Sequence, residues 1–433
     1  MNKSYKLAGA CLIAALLAAC GGANNGLSSS APFSVAPQSL HTQSALGQPR
    51  SHRVKRASQT LTYLHSFKGA SNNDGSDPYG PLVNVNGTLY GTTLAGGAQY
   101  NCSGGCGTVF SVTTSGAYAH LYSFANNPDG ANPYAGLANV GGTLYGTTSI
   151  GGGASEGTVY SITTAGAENV LQNFYSGSDG SIPYATLIDI SGTLYGTTST
   201  GGVYNQGTVF SMKASGAETV LHSFGGTADG TDPLAPLLDI GGTLYGTTNQ
   251  GGAYGGGTLF AVSKATGTET VLHSFGGGSG DGSRPQYGSL INVNGTVYGT
   301  TEQGGAYDGG GNCYEQGCGT VFSITPSGTY AILHSFGNLS DGVYDGEYPY
   351  AGLANVSGTL YGTTAHGGAY SEGTVYSITP STSDAETVIW AFGGEPGGAK
   401  PAADLIVVKG TLYGTTTSGG AYNDGTIFSL LSN

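Results

Sequence analysis

A seven-residue stretch, Gly-Thr-Leu-Tyr-Gly-Thr-Thr, constrains this chain more than any other feature. It first appears at Gly87–Thr93 and returns nearly unchanged six more times. The copies begin at Gly87, Gly142, Gly192, Gly242, Gly295, Gly358 and Gly410. The intervals between their tyrosines are 55, 50, 50, 53, 63 and 52 residues. A period near 50 residues is typical of solenoids, propellers and other repeat arrays.

The residues of one copy predict a β-strand. Thr, Leu and Tyr are good strand formers, and the stretch has no helical period. Successive side chains of a strand point to opposite faces, so Tyr90 and Leu89 lie on different faces. Neither face is fully polar, and we therefore expect both to be covered. Gly91 inside the strand indicates that another backbone approaches closely there.

Each period contains four predicted strands. In the second repeat they are strand A at Tyr134–Val140, strand B at Thr143–Thr148, strand C at Thr158–Thr163 and strand D at Tyr118–Phe124, which precedes A. Tight glycine-containing turns join A to B, and a glycine-rich loop joins B to C. Four antiparallel strands per period match the blade of a β-propeller. A parallel β-helix, which needs a shorter period, is the alternative.

The two ends of the repeat region predict how the ring closes. The region begins with a lone D-type strand, Leu61–Phe67, and ends on a C-type strand, Thr426–Leu430. Pairing the first strand outside the last completes the seventh blade and removes an open seam. We therefore predict an all-β, seven-bladed β-propeller of four-stranded antiparallel blades over residues 59–433, closed by the N-terminal strand.

The N-terminus has the pattern of an export signal. In Met1–Ala19, lysines precede an apolar run that is too short to span a bilayer. The run ends in Leu17-Ala18-Ala19-Cys20, which resembles the lipobox of bacterial lipoproteins. The resemblance implies cleavage before Cys20, lipidation of this cysteine, and a membrane partner reached through the lipid. We expect an exported protein anchored to the cell envelope, at the outer membrane or cell surface. Ordinary secretion is the alternative.

Residues 20–58 are predicted to be a lipidated cysteine followed by a flexible linker. The segment is rich in Ser, Ala, Gly, Gln and Pro, has no period and contains no acidic residue. A basic run at Arg50–Arg56 lies near its end. This run is either a solvated tether or a contact for anionic lipid.

Charge excludes one class of partner. All 25 acidic residues lie beyond Ser58, together with only six Lys and Arg, which gives the repeat region a net charge of about −19. Such a surface repels phosphate backbones, so we expect no nucleic-acid partner.

Four cysteines form two local pairs, Cys102 with Cys106 and Cys313 with Cys318. Both pairs precede a C strand. In the oxidising compartment of an exported protein, two loop-closing disulfides are expected. Metal binding by the pairs is the alternative, although they lie in different repeats and have no histidine nearby.

The full repeat unit carries a family resemblance. Its order is Leu-His-Ser-Phe, Asp-Gly, Pro, a hairpin, Gly-Thr-Leu-Tyr-Gly-Thr-Thr, Gly-Gly and Gly-Thr-Val-Phe-Ser, over roughly Leu61–Asn433. This pattern resembles the GloVer repeat of bacterial "choice-of-anchor" tandem-repeat proteins. The resemblance implies an exported, surface-attached repeat protein, and it implies no activity and no catalytic residues. The seventh repeat departs most, since Gly394–Lys400 lacks Asp-Gly and Trp390 replaces the histidine.

The D–A and B–C loops are predicted to emerge on one face, and they carry the sequence variation expected of a functional face. Tyrosines gather in them, and Tyr suits sugar rings and protein partners. Those near the start of strand A are Tyr79, Tyr134, Tyr184, Tyr287 and Tyr350, and those in B–C loops are Tyr100, Tyr204, Tyr254, Tyr307, Tyr370 and Tyr422. The alternative is that each tyrosine caps its own blade and packs on the next.

Recurring Asp-Gly and histidine positions are interpreted as structural. Asp before Gly commonly starts a turn, and calcium is the alternative because oxygen-rich loops suit it, although no loop spells a full calcium motif. Four histidines at one position of strand D belong to different blades and cannot converge on one metal, so we expect no metal site and no other cofactor. The Asp-Gly aspartates are Asp74, Asp129, Asp179, Asp229, Asp281 and Asp341, and the histidines are His65, His222, His273 and His334.

A catalytic site is expected to break the repeat. The fifth repeat has an insertion at Asp308–Cys318 and the sixth D–A loop is long and acidic. Glu302, Asp345, Glu347 and His366 are therefore the catalytic candidates, since carboxylates with a histidine can perform acid–base chemistry or hold a cation. No nucleophile elbow, phosphate loop or metalloprotease motif appears.

Three functions follow from these observations. The first is a non-enzymatic, envelope-anchored propeller that binds a glycan or a protein. The second is an extracytoplasmic hydrolase or lyase acting on polysaccharide. The third is a purely structural surface module.

Overall fold

The computed structural model describes residues 60–98, 101–216, 218–226, 228–307, 313, 316–340, 343–380 and 386–432. The predicted signal, Cys20, the linker, Tyr100, Asp341 and most of the insertion at 308–318 lie outside these residues. In the part of the chain that is described, no helix has the length and apolar character needed to cross a membrane.

Seven antiparallel sheets of four strands form the blades, each in the spatial order A-B-C-D. Strands A are Val83–Val85, Ala138–Val140, Ile188–Ile190, Leu238–Ile240, Ile291–Val293, Ala354–Val356 and Ile406–Val408. Strands B are Thr88–Thr93, Thr143–Thr148, Thr193–Thr198, Thr243–Thr248, Thr296–Thr301, Thr359–Thr364 and Thr411–Thr416. Strands C are Thr108–Thr113, Thr158–Thr163, Thr208–Lys213, Thr258–Ser263, Thr320–Ile324, Thr374–Ile378 and Thr426–Leu431. Strands D are Tyr118–Ser123, Glu168–Asn173, Glu218–Ser223, Glu269–Ser274, Tyr330–Ser335, Glu386–Ala391 and, for blade 7, Leu61–Ser66. Several A strands contact the A strand of the next blade, so strand A is innermost and strand D outermost.

The predicted fold and the predicted closure are both confirmed. Leu61–Ser66 pairs antiparallel with Thr426–Leu431 and completes the seventh sheet. The same seam is tied further along, because Phe67 N–H donates to the Gly425 carbonyl at 3.0 Å and Thr415 Oγ1 donates to the Pro78 carbonyl at 3.0 Å. The ring of blades is therefore joined by hydrogen bonds between the two ends of the repeat region.

The recurring stretch in strand B has a distinct role for each residue. Both faces are covered, as expected, with Leu89 and Tyr90 buried. Thr92 Oγ1 donates to the Ala135 carbonyl of the next blade at 2.6 Å, and Thr93 Oγ1 bonds Thr108 Oγ1 of its own strand C at 2.7 Å. The Thr–Thr bond recurs in all seven blades. The motif therefore ties strand B to its own blade and packs it against its neighbours.

The glycine of that stretch makes room for an aromatic ring, and the predicted approach of another backbone is wrong. Gly91 lies directly opposite Phe110 of strand C. A Cβ added to Gly91 would lie 2.6 Å from Phe110 Cζ. The equivalent glycines of blades 2 and 6 are covered by Tyr160 and Tyr376.

The hydrophobic core lies between blades and is divided into seven clusters. One cluster, for example, combines Phe67 and Ile427 of blade 7 with Leu82, Leu89 and Phe110 of blade 1. Each blade therefore contributes apolar side chains to the clusters on both of its faces.

Strand A is shorter than predicted, since in blade 2 it begins at Ala138 instead of Tyr134. The residues before it turn toward the centre of the ring. The Gly136 N–H donates to Thr186 Oγ1 of blade 3 at 2.9 Å, and this bond replaces a bond within its own sheet.

Candidate functional site

The D–A and B–C loops emerge on the same face and pair with each other. In four blades the two loops are joined by a short antiparallel pair of strands. The pairs are Gly75–Ser76 with Ala95–Gly96, Gly230–Thr231 with Gln250–Gly251, Gly282–Ser283 with Gln303–Gly304, and Gly398–Ala399 with Ser418–Gly419. Single bridges do the same in the other three, at Ala131–Ile150, Ser181–Thr200 and Glu347–His366. Three further short elements lie in these loops, the 3-10 turns Ala70–Asn72 and Gly177–Asp179 and the pair Leu339–Ser340 with Val343–Tyr344. Among the described residues, this loop face carries the tyrosines predicted to bind a ligand.

The tyrosines near strand A form an inner cluster around the centre of this face. The Tyr134 ring centroid lies 4.7 Å from that of Tyr79, 5.1 Å from that of Tyr184 and 5.6 Å from that of Tyr287. The cluster borders a cavity of about 30 Å³ that Asp404 also lines. Burial raises the pKa of each hydroxyl, and neighbouring phenols raise that of Tyr134 further. The rings pack on one another across the ring of blades, which fits a packing role.

Tyr350 belongs to the same inner level but has a different partner. Its hydroxyl donates to Glu302, and its ring stacks near Tyr348 at 6.2 Å. Glu302 is 8% exposed, and Gln286 Nε2 also donates to it. Burial raises the pKa of Glu302, while Arg284 and these hydrogen bonds oppose the rise. Glu302, one of the four catalytic candidates, is therefore in direct contact with an inner tyrosine.

The tyrosines of the B–C loops form an exposed outer rim. Their exposed fractions are 60% for Tyr204, 64% for Tyr254, 42% for Tyr307, 64% for Tyr370 and 54% for Tyr422. Where the loop after strand D carries glycine, the tyrosine of the same blade lies close to it, as with Tyr204 at Gly225 and Tyr254 at Gly277. One side of each such ring therefore meets glycine backbone, and much of the rest faces solvent.

One rim tyrosine was missed by sequence reasoning. Tyr175 is 63% exposed and follows Phe174 at the position that Gly225 occupies in the next repeat. In the same blade, Ala154 occupies the B–C loop position that Tyr204 holds in blade 3. Tyrosine and small residue have exchanged places between the two loops, so blade 2 still presents an aromatic ring at the rim. A comparison of the two loops within each repeat could have found it.

The other three catalytic candidates occupy two separate places. Glu347 and His366 lie opposite each other, with paired backbone hydrogen bonds of 3.0 Å. Glu347 is 1% exposed and lies against the disulfide of Cys313 and Cys318. Burial lowers the pKa of His366, and the charge of Lys400 lowers it further. Asp345 instead accepts a hydrogen bond from His334 Nε2 of strand D at 3.1 Å, on the outer side of the blade. A catalytic role for these residues stays a prediction.

The recurring histidines and aspartates form local clamps at the outer edge. His65 Nε2 bonds Asp74 Oδ2 at 3.0 Å, and the Asp74 carboxylate accepts the N–H groups of Lys68 and Gly75. Burial alone would raise the pKa of Asp74, but the bonds from His65, Tyr118 and Gly75 hold it below its usual value. Equivalent clamps join His222 to Asp229, His273 to Asp281 and His334 to Asp345. These aspartates therefore hold the turn, as interpreted from the Asp-Gly pattern, and in blade 6 the clamp uses Asp345.

The two predicted disulfides are confirmed. Cys102–Cys106 and Cys313–Cys318 both close B–C loops, and three of the four residues are buried. They hold loops of this loop face against the C strands that follow.

A ring of seven four-stranded blades, with its variable loops paired on one face, defines a β-propeller repeat protein. Residues 98–314 and 309–433 match the Gloeobacter/Verrucomicrobia repeat. The chain therefore belongs to the family of that repeat, which confirms the GloVer resemblance. No curated protein sequence matches it.

Solved structures are similar to this chain at low sequence identity. An oligogalacturonate lyase in complex with manganese is 11% identical with a TM-score of 0.50, covering 87% of this chain and 95% of the lyase. A gluconolactonase from Xanthomonas campestris is 11% identical with a TM-score of 0.45, covering 89% and 93%. A 6-phosphogluconolactonase-like protein from Bacteroides uniformis is 15% identical with a TM-score of 0.45, covering 71% and 86%. At these identities the likeness concerns the fold alone.

Proposed function

We propose that this chain is a non-enzymatic binding module of the cell envelope, and that its outer rim of tyrosines binds a glycan. The observation that carries the proposal is the exposure of the rim, which ranges from 42% at Tyr307 to 64% at Tyr254 and Tyr370. The inner tyrosines, in contrast, are half-buried and pack on one another. A structural module would bury both sets.

The chemistry of the rim suits sugars. A flat phenol backed by glycine offers an apolar surface of fixed orientation for the C–H face of a pyranose, and its hydroxyl adds a hydrogen bond. Several such rings on one face permit contact with a long or branched glycan at several points, which strengthens weak single contacts. Blade 2 has no tyrosine in its B–C loop but presents Tyr175 at the rim instead. This compensation supports a role for an aromatic ring at the rim of each blade.

The anchor is part of the same proposal. Lipidation of Cys20 and a linker up to residue 58 would tether the propeller to the envelope, at the outer membrane or cell surface. Metabolic labelling with a fatty-acid analogue is expected to mark the wild-type protein and to be lost in Cys20→Ala. Labelling that survives this substitution would refute the anchor without touching the glycan proposal.

The test of binding is a glycan-array screen of the full-length protein, with and without calcium. We expect saturable binding to one glycan class, weakened in the pair Tyr254→Ala and Tyr370→Ala. At about 1 kcal/mol for each ring, the pair is expected to lose roughly 30-fold in affinity. The matched pair Tyr254→Phe and Tyr370→Phe is expected to retain most of it, as is Leu431→Ala on the opposite face.

Three outcomes contradict the proposal. No saturable binding to any glycan refutes the glycan class. Binding that the alanine pair leaves unchanged places the site elsewhere. A glycan that is bound and cleaved would support the hydrolase or lyase hypothesis, and Glu302→Gln would then test whether the residue beside Tyr350 takes part.

A further inference from the structure

Three side chains meet at the outer junction between neighbouring blades. The first lies near the end of a D strand, the second is the aspartate of the following D–A loop, and the third is the first residue of the next D strand. His65, Asp74 and Tyr118 form such a set, and His222, Asp229 and Glu269 form another. The third position decides the chemistry of the junction.

Where the third residue is tyrosine, the junction is complete. Tyr118 donates its hydroxyl to Asp74 at 2.6 Å, and its ring stacks on that of His65 with centroids 3.6 Å apart. Tyr330 repeats the arrangement, donating to Asp281 at 3.0 Å and stacking on His273 at 3.7 Å. In both, the aspartate carboxylate is hydrogen-bonded to the histidine, to the tyrosine hydroxyl and to backbone N–H groups.

In two of the junctions whose third residue is glutamate, two carboxylates and an imidazole meet. The ligand atoms of His334, Asp345 and Glu386 all lie within 4.8 Å of one another, and so do those of His222, Asp229 and Glu269. Among the described residues, Oε1 of Glu386 and Oε1 of Glu269 are buried without a hydrogen-bond partner. A buried, unpaired carboxylate oxygen is costly, so one oxygen in each of these junctions lacks a partner.

Among the described residues, neither junction has an ion pair with a Lys or Arg. Lys264, for example, pairs with Asp239, outside these junctions. Burial, and after it the charge of Asp345, raises the pKa of Glu386 well above its usual value. Burial and the charge of Asp229 raise the pKa of Glu269 to about 7, against an opposing effect of His222.

We propose that His334, Asp345 and Glu386 bind one divalent transition-metal ion and that His222, Asp229 and Glu269 bind a second. An imidazole nitrogen with carboxylate oxygens is a donor set that suits Zn²⁺ and Mn²⁺. Two carboxylates neutralise a divalent charge. The Nε2 to Oδ2 distances, 3.1 Å at His334 and 3.3 Å at His222, fit neighbouring ligands on an ion with bonds of about 2 Å.

The aspartates are already held in position for this role. Asp345 Oδ1 accepts the N–H groups of Gly337 at 3.0 Å and Asn338 at 3.1 Å. Asp229 likewise accepts the N–H groups of Gly225 and Gly230. Such outer bonds orient a metal-binding carboxylate. An ion at each site would connect D strands of adjacent blades, blade 5 to blade 6 and blade 3 to blade 4.

The experiment uses full-length protein, purified without a polyhistidine tag and stripped of metal by a chelator. Calorimetric titration with ZnCl₂ is expected to show two equivalents with dissociation constants below about 10 μM. Glu386→Gln and Glu269→Gln are each expected to bind one equivalent, and the double variant none. Co²⁺ in place of Zn²⁺ is expected to give visible absorption bands that fall by half in each single variant.

Other junctions of the same ring supply the controls. His334→Gln copies the residue that Gln172 provides in blade 2, so it is expected to fold and to lose one equivalent. Tyr330→Glu converts a tyrosine junction and is expected to gain one. Stoichiometry unchanged by the glutamine double variant, or no Zn²⁺ binding by the wild type, would overturn the proposal. The second result would mean that each carboxylate pair shares a proton instead.

Discussion

Two buried tyrosines offer a sharp test of how the blades pack. Tyr160 and Tyr376 lie on strand C at the position that is phenylalanine in the other five blades, at Phe110, Phe210, Phe260, Phe322 and Phe428. Both side chains are fully buried over the glycine of strand B. Their hydroxyls are also buried and have no hydrogen-bond partner among the described residues. Replacing each tyrosine by phenylalanine is therefore expected to stabilise the protein.

The size of the effect follows from the contacts that remain. A buried hydroxyl without a partner costs about 1–3 kcal/mol. The Tyr160 ring packs on Phe124 with centroids 5.0 Å apart, and the Tyr376 ring packs on Phe336 with centroids 4.9 Å apart. Neither contact involves the hydroxyl. We expect about 1 kcal/mol for Tyr160→Phe or Tyr376→Phe, and about 2 kcal/mol for both, since sites in different blades add. For a chain of this length the double variant is expected to melt about 2–3 °C higher.

Thermal unfolding and urea unfolding of the full-length protein measure the change. The reverse substitution, Phe110→Tyr, is the matched control and is expected to lose a comparable amount, because it places a hydroxyl against Gly91. A double variant that melts lower than the wild type would refute the reasoning, since it would mean that the two hydroxyls have a partner.

Two further predictions concern charge and backbone strain. Burial and the charge of Asp179 raise the pKa of Glu218 to about 8, so the folded protein binds more protons than the unfolded chain between about pH 4.5 and 8. Stability is expected to fall as pH rises through that window, and Glu218→Gln to flatten the slope of the melting temperature. Ile182 has a φ of 57°, in the left-handed region. Asn132 holds the same repeat position in blade 2, with a φ of 55°. Ile182→Asn is expected to raise the free energy of unfolding, measured by urea denaturation, by about 1 kcal/mol, and Asn132→Ile to lower it.

The fold could be predicted because its information is local and repeated. Strand B, its hairpin and the period of about 50 residues lie within short segments, and seven copies average out the ambiguity of any one. The closure by Leu61–Ser66 followed from counting strands. The predicted start of strand A at Tyr134 was wrong, because Tyr134 packs in the tyrosine cluster at the centre of the ring and the strand begins at Ala138.

The division of the tyrosines could not be predicted. Tyr134 lies in a D–A loop and Tyr254 in a B–C loop of the same face, and their burial depends on distance from the centre of the ring. The junctions were missed for a related reason. His222 and Glu269 are 47 residues apart and belong to different repeats. They meet because each blade is rotated from the one before it by a fixed angle, which brings equivalent positions of neighbouring blades together. A search for local sequence motifs does not detect this relation.

The closing strand leads to a last prediction, which separates local from global stability. Phe67 and Phe224 hold the same repeat position after strand D and are both fully buried. Their ring contacts also match, Phe67 to Phe110 at 5.2 Å and Phe224 to Phe260 at 5.0 Å. Replacing either by alanine is expected to cost about 3–5 kcal/mol.

The two losses are expected to appear in different places. The strand before Phe224, Glu218–Ser223, is connected through the chain to strand C of its own blade and to strand A of the next. Phe224→Ala is therefore expected to lower the stability of the ring as a whole. Leu61–Ser66 is not joined by a C–D turn to the strand it pairs with, Thr426–Leu431, so in Phe67→Ala it can detach while the other strands stay paired. Hydrogen exchange is expected to show amides of Leu61–Ser66 and Thr426–Leu431 exchanging roughly 100-fold faster in Phe67→Ala alone. Equal protection of these amides in both variants would mean that the ring opens only as a unit, and that its closure is as strong as any other blade.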